Sequence, residues 1–194
     1  MKYFPIFGLL NSKGDPMILG FAGAARSGKD TVGAYFVKEY MFKHCSFAKP
    51  LKEACKVMFG LSDEQIANKE TIIEPWGLSP RQMYQKVGIE MRRTIDPNIW
   101  LKNVEIEVNK CPGFSFVITD VRFSNEALWI HNRGGKVIKV VRNQELIKDS
   151  HHITERGLTP EEIDYTLINN GTINDLHNAI EDIVFEEHEI AVQS

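Results

Sequence analysis

A short glycine-containing stretch carries the strongest chemical signal in the sequence. Gly23 is followed by four residues and then by Gly28 and Lys29, so that residues 23–31 read GAARSGKDT. This spacing is that of a phosphate-binding loop, or P-loop, in which backbone N–H groups surround phosphate oxygens and the lysine contacts the terminal phosphates. An apolar run precedes the stretch and a helical pattern follows it, as such a loop requires. A chance match in the βα turn of an unrelated α/β protein is the alternative.

The residue after the lysine is Asp30, where the usual motif has a hydroxyl side chain. A carboxylate can hold Mg²⁺ directly or through water, or it can accept a hydrogen bond from the phosphoryl acceptor. Thr31 keeps a hydroxyl close by and is a second candidate metal ligand. For Asp30 the alternative is a helix-terminal carboxylate that the helix dipole favours. The residues of the loop that we expect to contact a nucleotide are Gly23, Ala25, Arg26, Ser27, Gly28, Lys29, Asp30 and Thr31.

A second carboxylate follows the apolar run FSFVIT at residues 114–119. Asp120 stands where a metal-associated carboxylate follows a strand in P-loop folds, and we expect it to hold a magnesium-bound water or to position the acceptor. Arg122 comes two residues later and points the same way if the strand geometry continues. Asp120 could instead cap the helix predicted to begin near Asn125, but Ser124 is the better cap.

The helical pattern at residues 80–95 carries a polar stripe. Arg81, Gln85, Gly88 and Arg92 are spaced i, i+4, i+7 and i+11 and fall on one face of the helix. Arginine binds phosphate bidentately, glutamine reads a base edge and glycine allows a ligand to approach, which suits a monophosphate and its base. A plain solvated face is the alternative. The adjacent apolar stripe, expected to pack on the core, consists of Tyr84, Val87, Met91 and Ile95.

Two further segments are candidates for contact with the nucleotide. The polar stretch at about 142–160 suits a lid that closes over phosphates, and it equally suits an ordinary surface loop. The sequence NNGT follows the last predicted strand, where Asn170 and Gly171 are placed to touch a base. A turn and helix cap are the alternative for this stretch.

Composition excludes several classes of protein. The chain has 194 residues and a formal net charge of −3, so there is no basic footprint for a nucleic-acid polymer. No apolar stretch approaches the roughly 20 residues that span a bilayer. The three cysteines have no C-x-x-C spacing, which favours reduced thiols in a cytoplasmic protein.

Residues 1–16 are expected to be an N-terminal extension, since Met17 offers an alternative start.

Strand and helix patterns alternate along the chain. Strands are predicted at 17–22, 45–48, 114–119, 136–141 and 164–168. Helices are predicted at 29–42, 50–59, 80–95, 97–109, 125–132 and 172–187, and residues 61–79 read as a polar segment with a loop. This alternation predicts βαβ units and a mainly parallel sheet covered by helices on both faces, in one α/β domain over residues 1–194. Within it, about 79–110 would form a helical acceptor-binding region.

The motifs together resemble those of phage-type deoxynucleoside monophosphate kinases. The matching stretches, in the family's order, are GAARSGKDT, FAKPLKEA, SPRQMYQKVGIEMRR, DPNIWL, VITDVRFSNEA, GGKVIKVVR and DYTLINNGTINDL. The resemblance covers about residues 17–185. It implies transfer of the ATP γ-phosphoryl group to a deoxynucleoside monophosphate, with Mg²⁺, on an adenylate-kinase-like P-loop fold of three layers. It also implies a phage-encoded enzyme of the host cytoplasm, in which aspartate after the P-loop lysine is normal.

The resemblance also implies roles for individual residues. By this resemblance, Lys29, Asp30 and Thr31 bind ATP and the metal, and Asp120 and Arg122 lie close to the phosphoryl group that is transferred. The residues that would bind the acceptor are Lys49, Arg81, Gln85, Arg92, Arg122 and Arg156. The predicted lid contains few arginines, so the arginine that stabilises the transition state is left open among Arg122, Arg142 and Arg156.

Three other functions agree less well with the sequence. Animal-type phosphomevalonate kinases share S-G-K-D, P-L-K-E and an aspartate–arginine strand end, but DVRFSNEA and Gln85 favour a nucleotide acceptor. A regulatory GTPase is disfavoured because no N-K-x-D motif follows an apolar strand. A non-catalytic nucleotide-binding module is disfavoured because Lys29, Asp120 and the arginines are all present. The accepted bases, the preference for deoxyribose and the oligomeric state, including a homodimer, stay open.

Overall fold

A computed structural model describes residues 15–142 and 157–192 of the chain, with side chains described as far as residue 185. Most of the predicted N-terminal extension, residues 1–14, lies outside this description. Residues 143–156, which make up most of the predicted lid, lie outside it as well.

The chain divides into two compact units. The first consists of Met1–Cys45 and Lys110–Ser194, and the second is Ser46–Asn109. The second unit contains the helical region predicted at about 79–110 and begins well before it. The single domain expected over residues 1–194 stays a prediction.

The elements are numbered in chain order over the described residues. The strands are β1 (Ile18–Ala22), β2 (Lys43–Cys45), β3 (Phe116–Ile118), β4 (Lys136–Val141) and β5 (Tyr165–Ile168). The helices are α1 (Lys29–Tyr40), α2 (Lys49–Phe59), α3 (Asp63–Ala67), α4 (Pro80–Thr94), α5 (Ile99–Asn109), α6 (Ser124–Asn132) and α7 (Ile173–Val192), with a 3₁₀ turn at Pro160–Glu162.

The five strands form one parallel sheet in the order β2-β3-β1-β4-β5. The predicted parallel α/β architecture is therefore confirmed. The helix after β1 leads to β2 on one side, whereas the helix after β3 leads to β4 on the other. Ligands of open parallel sheets bind at such a switch point, outside the carboxyl ends of the strands. The carboxyl ends of β1 and β3 are adjacent, with Gly20 opposite Ile118 in the register.

The sheet of the first unit is covered on both faces. Leu19 and Phe21 of β1 belong to a buried cluster that includes residues of α1 and α7. Gly20 faces the other way, and a Cβ added there would lie 2.5 Å from the Ile130 side chain of α6. This alternation along β1 is the period of two that a strand imposes, and it explains a continuous apolar run that is buried on both sides.

Helices α1 and α7 are joined by polar contacts as well as by the core. The Tyr35 hydroxyl donates to Glu181 Oε1 at 2.5 Å, and Tyr40 donates to the same oxygen. The Tyr35 ring stacks on His177 with a centroid separation of 3.8 Å. Burial, together with the Glu181 carboxylate, raises the pKa of Tyr40, so this hydroxyl stays protonated and keeps donating.

The second unit is built from α2 to α5. Gly88 of α4 is buried, and a Cβ there would lie 2.9 Å from Leu51 of α2. The Gly88 carbonyl accepts a hydrogen bond of 3.3 Å from Trp100 Nε1 on α5. Gly88 is therefore where three helices pack closely, and Met83, which is fully buried, extends the interior of the unit.

Three predictions about the elements need correction. Strand β2 is Lys43–Cys45 rather than 45–48, because it ends with its partner β3 in the register and Pro50 then lies in the first turn of α2. The polar segment 61–79 contains α3, whose capping box joins Ser62 to Gln65. Ile95 was expected on the core-facing stripe but is 64% exposed, since α4 ends one residue earlier.

The aromatic cluster of the first unit gives a test of this core. Phe36 is fully buried, with ring centroids of Phe42 and Tyr40 at 5.2 and 5.3 Å. We expect Phe36→Ala to lower the free energy of unfolding by about 3–5 kcal/mol, measured by urea denaturation. The neighbouring Val37→Ala, at a position that is 39% exposed, should cost less than about 1 kcal/mol. Equal losses for the two variants would contradict this packing.

Candidate active site

The glycine loop has the context that the sequence predicts, with β1 ending at Ala22 and α1 beginning at Lys29. Gly23 and Gly28 have φ angles of +130° and +115°, which residues other than glycine rarely adopt. A Cβ on Gly23 would lie 2.3 Å from the Val140 carbonyl oxygen, and one on Gly28 would lie 2.4 Å from Asn169 Nδ2. Both glycines are thus required by backbone conformation and by close contacts with the ends of neighbouring strands.

The side chain of the loop lysine contacts the backbone of the loop. Lys29 Nζ donates a hydrogen bond of 2.7 Å to the Ala24 carbonyl oxygen. Arg26, with φ +67°, is in the left-handed region, so the chain makes its tight turn here without a glycine. Ser27 is fully buried, main chain and side chain alike, so its predicted contact with the nucleotide stays a prediction. The predicted contacts Gly23, Ala25, Arg26, Asp30 and Thr31 are exposed.

Asn169 is a loop contact that the sequence analysis missed. Its side chain is buried at 7% exposure, and Nδ2 donates a hydrogen bond of 2.7 Å to the Ser27 carbonyl oxygen. Its backbone N–H donates to the Val141 carbonyl oxygen at 2.8 Å, continuing the sheet past β5. The sequence points to the stretch NNGT, but there it predicts base contacts from Asn170 and Gly171 and not from Asn169. Asn170 and Gly171 are both exposed.

The end of NNGT caps a helix. The Asp175 N–H donates to Thr172 Oγ1 at 3.2 Å, and the Thr172 N–H donates to Asp175 Oδ2 at 2.8 Å. This reciprocal pair satisfies N–H groups at the start of α7. The alternative of a turn and helix cap is thus confirmed for Thr172, while the predicted base contacts by Asn170 and Gly171 stay predictions.

Asp120 and Arg122 follow the strand next to β1. Strand β3 ends at Ile118, so the assumption that strand geometry continues through Arg122 is wrong. The Val121 N–H donates to the Phe21 carbonyl oxygen at 3.2 Å, which holds this segment beside the end of β1. Asp120 is half-buried and Arg122 is exposed. A carboxylate and a guanidinium therefore follow β3, next to the strand from which the glycine loop starts.

A buried glutamate organises the segment that carries Arg122. Glu126 is 1% exposed, and Oε2 accepts hydrogen bonds from the N–H groups of Arg122 at 2.9 Å and Phe123 at 3.2 Å. The prediction that Ser124 caps α6 is wrong, since Phe123 is the N-cap and Glu126 binds the N–H groups before the helix. Ser124 instead hydrogen-bonds to Glu162, which lowers the pKa of that carboxyl. The sequence offers a weak signal for Glu126, a glutamate in the first turn of a predicted helix.

The polar stripe of α4 lies in the second unit. Arg81 Nη1 pairs with Glu70 Oε1 at 2.8 Å, and both side chains are about half exposed or more. Arg92 Nη1 donates to the Pro97 carbonyl oxygen at 3.1 Å, and Gln85 is exposed. The interpretation of Gly88 as an opening for ligand is wrong, because Leu51 and Trp100 pack against it. Both arginines of the predicted stripe thus have partners within the second unit, and the predicted acceptor contacts stay predictions.

The other predicted acceptor residues are distributed as follows. Lys49 begins α2 in the second unit, with Nζ 3.9 Å from Glu107 Oε1 and its side chain 55% exposed. Arg142 is exposed directly after β4. Arg156 lies outside the described residues, so its predicted roles stay predictions.

The donor set near the glycine loop suits Mg²⁺. Asp30, Thr31 and Asp120 offer hard oxygen ligands, which this ion prefers. Within residues 15–142 and 157–185, no group of three or more histidine, cysteine or acidic side chains is arranged to hold a metal. Mg²⁺ in phosphoryl transfer is usually bound through one or two carboxylates together with substrate phosphates. Among the described residues, no helix is long and apolar enough to cross a membrane.

Comparison with known proteins gives consistent relatives. The chain is 35% identical over 184 residues to a protein of Acanthamoeba polyphaga mimivirus named as a deoxynucleotide monophosphate kinase, covering 84% of this chain and 94% of the relative. It is 24% identical over 223 residues to the deoxynucleoside-5'-monophosphate kinase of Escherichia phage T5, covering 79% and 89%. Among solved structures, TT1252 from Thermus thermophilus matches with a TM-score of 0.50 at 18% identity, covering 89% and 98%, which supports the fold.

A family model describes the same relationship. The model for deoxynucleotide monophosphate kinase matches residues 58–180, more than half of the chain. The predicted resemblance is therefore confirmed, and the chain belongs to the deoxynucleotide monophosphate kinase family.

Proposed function

We propose that this kinase transfers the γ-phosphoryl group of ATP to a deoxynucleoside monophosphate, giving the diphosphate and ADP. The observation that carries the proposal is the glycine loop between β1 and α1, with Gly23 and Gly28 in conformations that a phosphate loop needs and Lys29 directly after them. Family membership supplies the class of acceptor. Both substrates are small molecules.

The donor would bind at the start of α1. The first N–H groups of a helix have no carbonyl partner within the helix, and they attract phosphate oxygens. Lys29 Nζ, which contacts the Ala24 carbonyl in this structure, would exchange that neutral acceptor for a charged phosphate oxygen. The ammonium group and a phosphate oxygen carry opposite charges and attract each other more strongly than the ammonium group attracts a neutral carbonyl, so the exchange is favourable.

Asp30, Thr31 and Asp120 would hold Mg²⁺, directly or through water. When bound, the ion neutralises charge on the β- and γ-phosphate oxygens. The Arg122 guanidinium would stabilise charge on the transferring group, while Glu126 fixes the backbone from which Arg122 extends. Arg142 and Arg156 stay alternatives for that role.

The second unit would bind the acceptor through Arg81, Gln85 and Arg92 of α4 and through Lys49 of α2. The Arg81–Glu70 pair is solvent-exposed, and pairs of this kind contribute only about 0–1 kcal/mol. Arg81 can therefore leave Glu70 for an acceptor phosphate at small cost. In the reaction an acceptor phosphate oxygen bonds to the γ-phosphorus as the bond from that phosphorus to the β-γ bridging oxygen breaks, which leaves ADP.

The proposed setting is the cytoplasm. Cys45, Cys55 and Cys111 form no disulfide, which suits a reducing compartment that also supplies nucleotides. The homodimer left open by the sequence stays a prediction.

The proposed reaction is tested by ADP release with ATP–Mg²⁺ and each of dAMP, dCMP, dGMP and dTMP. We expect turnover on two or more of them, with little on AMP and UMP. Chelation of Mg²⁺ should stop it. Phosphomevalonate is the control acceptor, because turnover on it alone would preserve ATP use and overturn the assignment of the acceptor. No turnover on any acceptor, with ATP still bound, would contradict the proposed role of the α4 stripe.

The role of Lys29 is tested by Lys29→Met, which keeps most of the length of the side chain and removes the charge. Loss of one donor that stabilises transition-state charge commonly lowers kcat by about 10²–10³-fold, and we expect a loss in this range. Lys38→Met is the matched control, since Lys38 lies on the same helix with its side chain 82% exposed. Full turnover by folded Lys29→Met would refute the proposed mechanism.

Arg122→Ala separates the three candidate arginines. Loss of a transition-state arginine costs about 10³–10⁵-fold in kcat for this type of reaction, and we expect such a loss for Arg122→Ala. Alanine retains the N–H that Glu126 binds, so the backbone of the segment should stay in place. Arg93→Ala, at an exposed arginine paired with Glu90, serves as the control. A small effect at Arg122 with a large one at Arg142 or Arg156 would reassign the role.

A further inference from the structure

The buried side chain of Asn169 makes a contact that the sheet itself does not need. Its backbone N–H already pairs with Val141, while its side-chain amide reaches across to the Ser27 carbonyl oxygen at 2.7 Å. A buried polar group costs free energy unless it is hydrogen-bonded, so an apolar side chain would serve better if only packing were required. The amide is held close to the loop, because only glycine at position 28 leaves room for Nδ2.

The contact acts on one peptide group of the phosphate loop. The carbonyl of Ser27 and the N–H of Gly28 belong to the same peptide unit, and in a trans peptide they point in opposite directions. The described chain has its cis peptide at Glu74–Pro75, not here. When Asn169 binds the carbonyl on one side, the N–H of Gly28 is therefore aimed away from Asn169.

We propose that Asn169 is a positioning residue for nucleotide binding, which orients the Ser27–Gly28 peptide so that the Gly28 N–H is available to a phosphate. The inference rests on the proposed function, in that the glycine loop binds ATP. Asn169 acts through the loop and does not touch the nucleotide. Its removal should weaken the binding of ATP and leave the binding of the deoxynucleoside monophosphate unchanged.

The decisive variant is Asn169→Asp, which has nearly the same shape. A protonated carboxyl group can donate its O–H to the Ser27 carbonyl, as the amide does, whereas a carboxylate can only accept and would be repelled. Burial disfavours the charged form and raises the pKa of the introduced carboxyl above its ordinary value of about 3.9. The affinity of this variant for ATP should therefore depend on pH in a way that the wild-type protein does not show.

The experiment measures the Kd of ATP by calorimetry from about pH 5 to about pH 8.5, with each value divided by that of the wild type at the same pH. We expect Asn169→Asp to bind nearly as well as wild type at the acidic end. At the alkaline end it should bind about tenfold more weakly or worse, which corresponds to about 1.4 kcal/mol. Asn178→Asp, the same change at an exposed position of α7, should follow the wild type throughout.

If Asn169→Asp lowers the affinity equally at every pH, or does not change it, the hydrogen bond to Ser27 does not set the affinity, and either result overturns the inference. If the wild type binds no ATP, the proposed function fails, and this inference fails with it. If the wild type binds ATP and only the pH dependence is missing, the inference alone fails.

A second variant keeps the test decisive if Asn169→Asp unfolds at alkaline pH, as judged by circular dichroism. Asn169→Ser has a shorter side chain that cannot reach the Ser27 carbonyl from the same backbone position. It should weaken ATP binding about tenfold while the Kd of the preferred deoxynucleoside monophosphate stays the same. Unchanged affinity for ATP, or equal losses for both substrates, would overturn the proposal.

Discussion

The glycine loop of the first unit depends on how closely backbone and side-chain atoms approach it from two neighbouring strands. The Val140 carbonyl oxygen lies 2.3 Å from where a Cβ of residue 23 would be, and Asn169 Nδ2 lies 2.4 Å from where a Cβ of residue 28 would be. The sheet order brings about both contacts, because β4 lies beside β1 and β5 lies beside β4. The parallel sheet is thus the support that fixes the shape of the loop, and α1 extends from this fixed point.

The proposed substrate contacts in the two units are stabilised differently. In the first unit, the loop is held by buried hydrogen bonds between neutral groups, such as that from Asn169 to Ser27, which salt does not screen. In the second, Arg81 is held by an exposed ion pair that solvent and salt weaken. A rigid frame for phosphate and exchangeable partners for an arginine are both useful to a phosphotransferase, because positioning and charge stabilisation supply most of its catalysis.

The features that the sequence predicts well are local ones. The spacing of Gly23, Gly28 and Lys29 and the strand and helix around them depend on short-range backbone geometry, and they agree with the structure. Asn169 is 142 residues from Ser27, and no local pattern distinguishes it from Asn170 beside it. Only the register of the sheet decides which of the two asparagines is buried.

The errors have the same physical origin. A stripe on a helix shows which side chains share a face, but it does not show what covers that face, so the stripe predicts a ligand contact at Gly88, where a neighbouring helix packs instead. Ser124 has the right chemistry for a cap, yet the helix already begins at Ser124, and a glutamate two residues later accepts hydrogen bonds from the two N–H groups that precede the helix. Competition between local candidates is settled by packing, which depends on residues distant in the sequence.

The contacts between α1 and α7 have a consequence for the stage of translation at which the glycine loop gains its support. Tyr40, at the far end of the helix that begins at the glycine loop, is tied to Glu181, and the loop itself is tied to Asn169. Both anchors are synthesised after β1, α1 and most of the sheet. A nascent chain on the ribosome that stops before β5 therefore carries the complete phosphate-loop sequence without either tether. Competence to bind nucleotide should thus appear late in translation, as a property of the nearly finished chain.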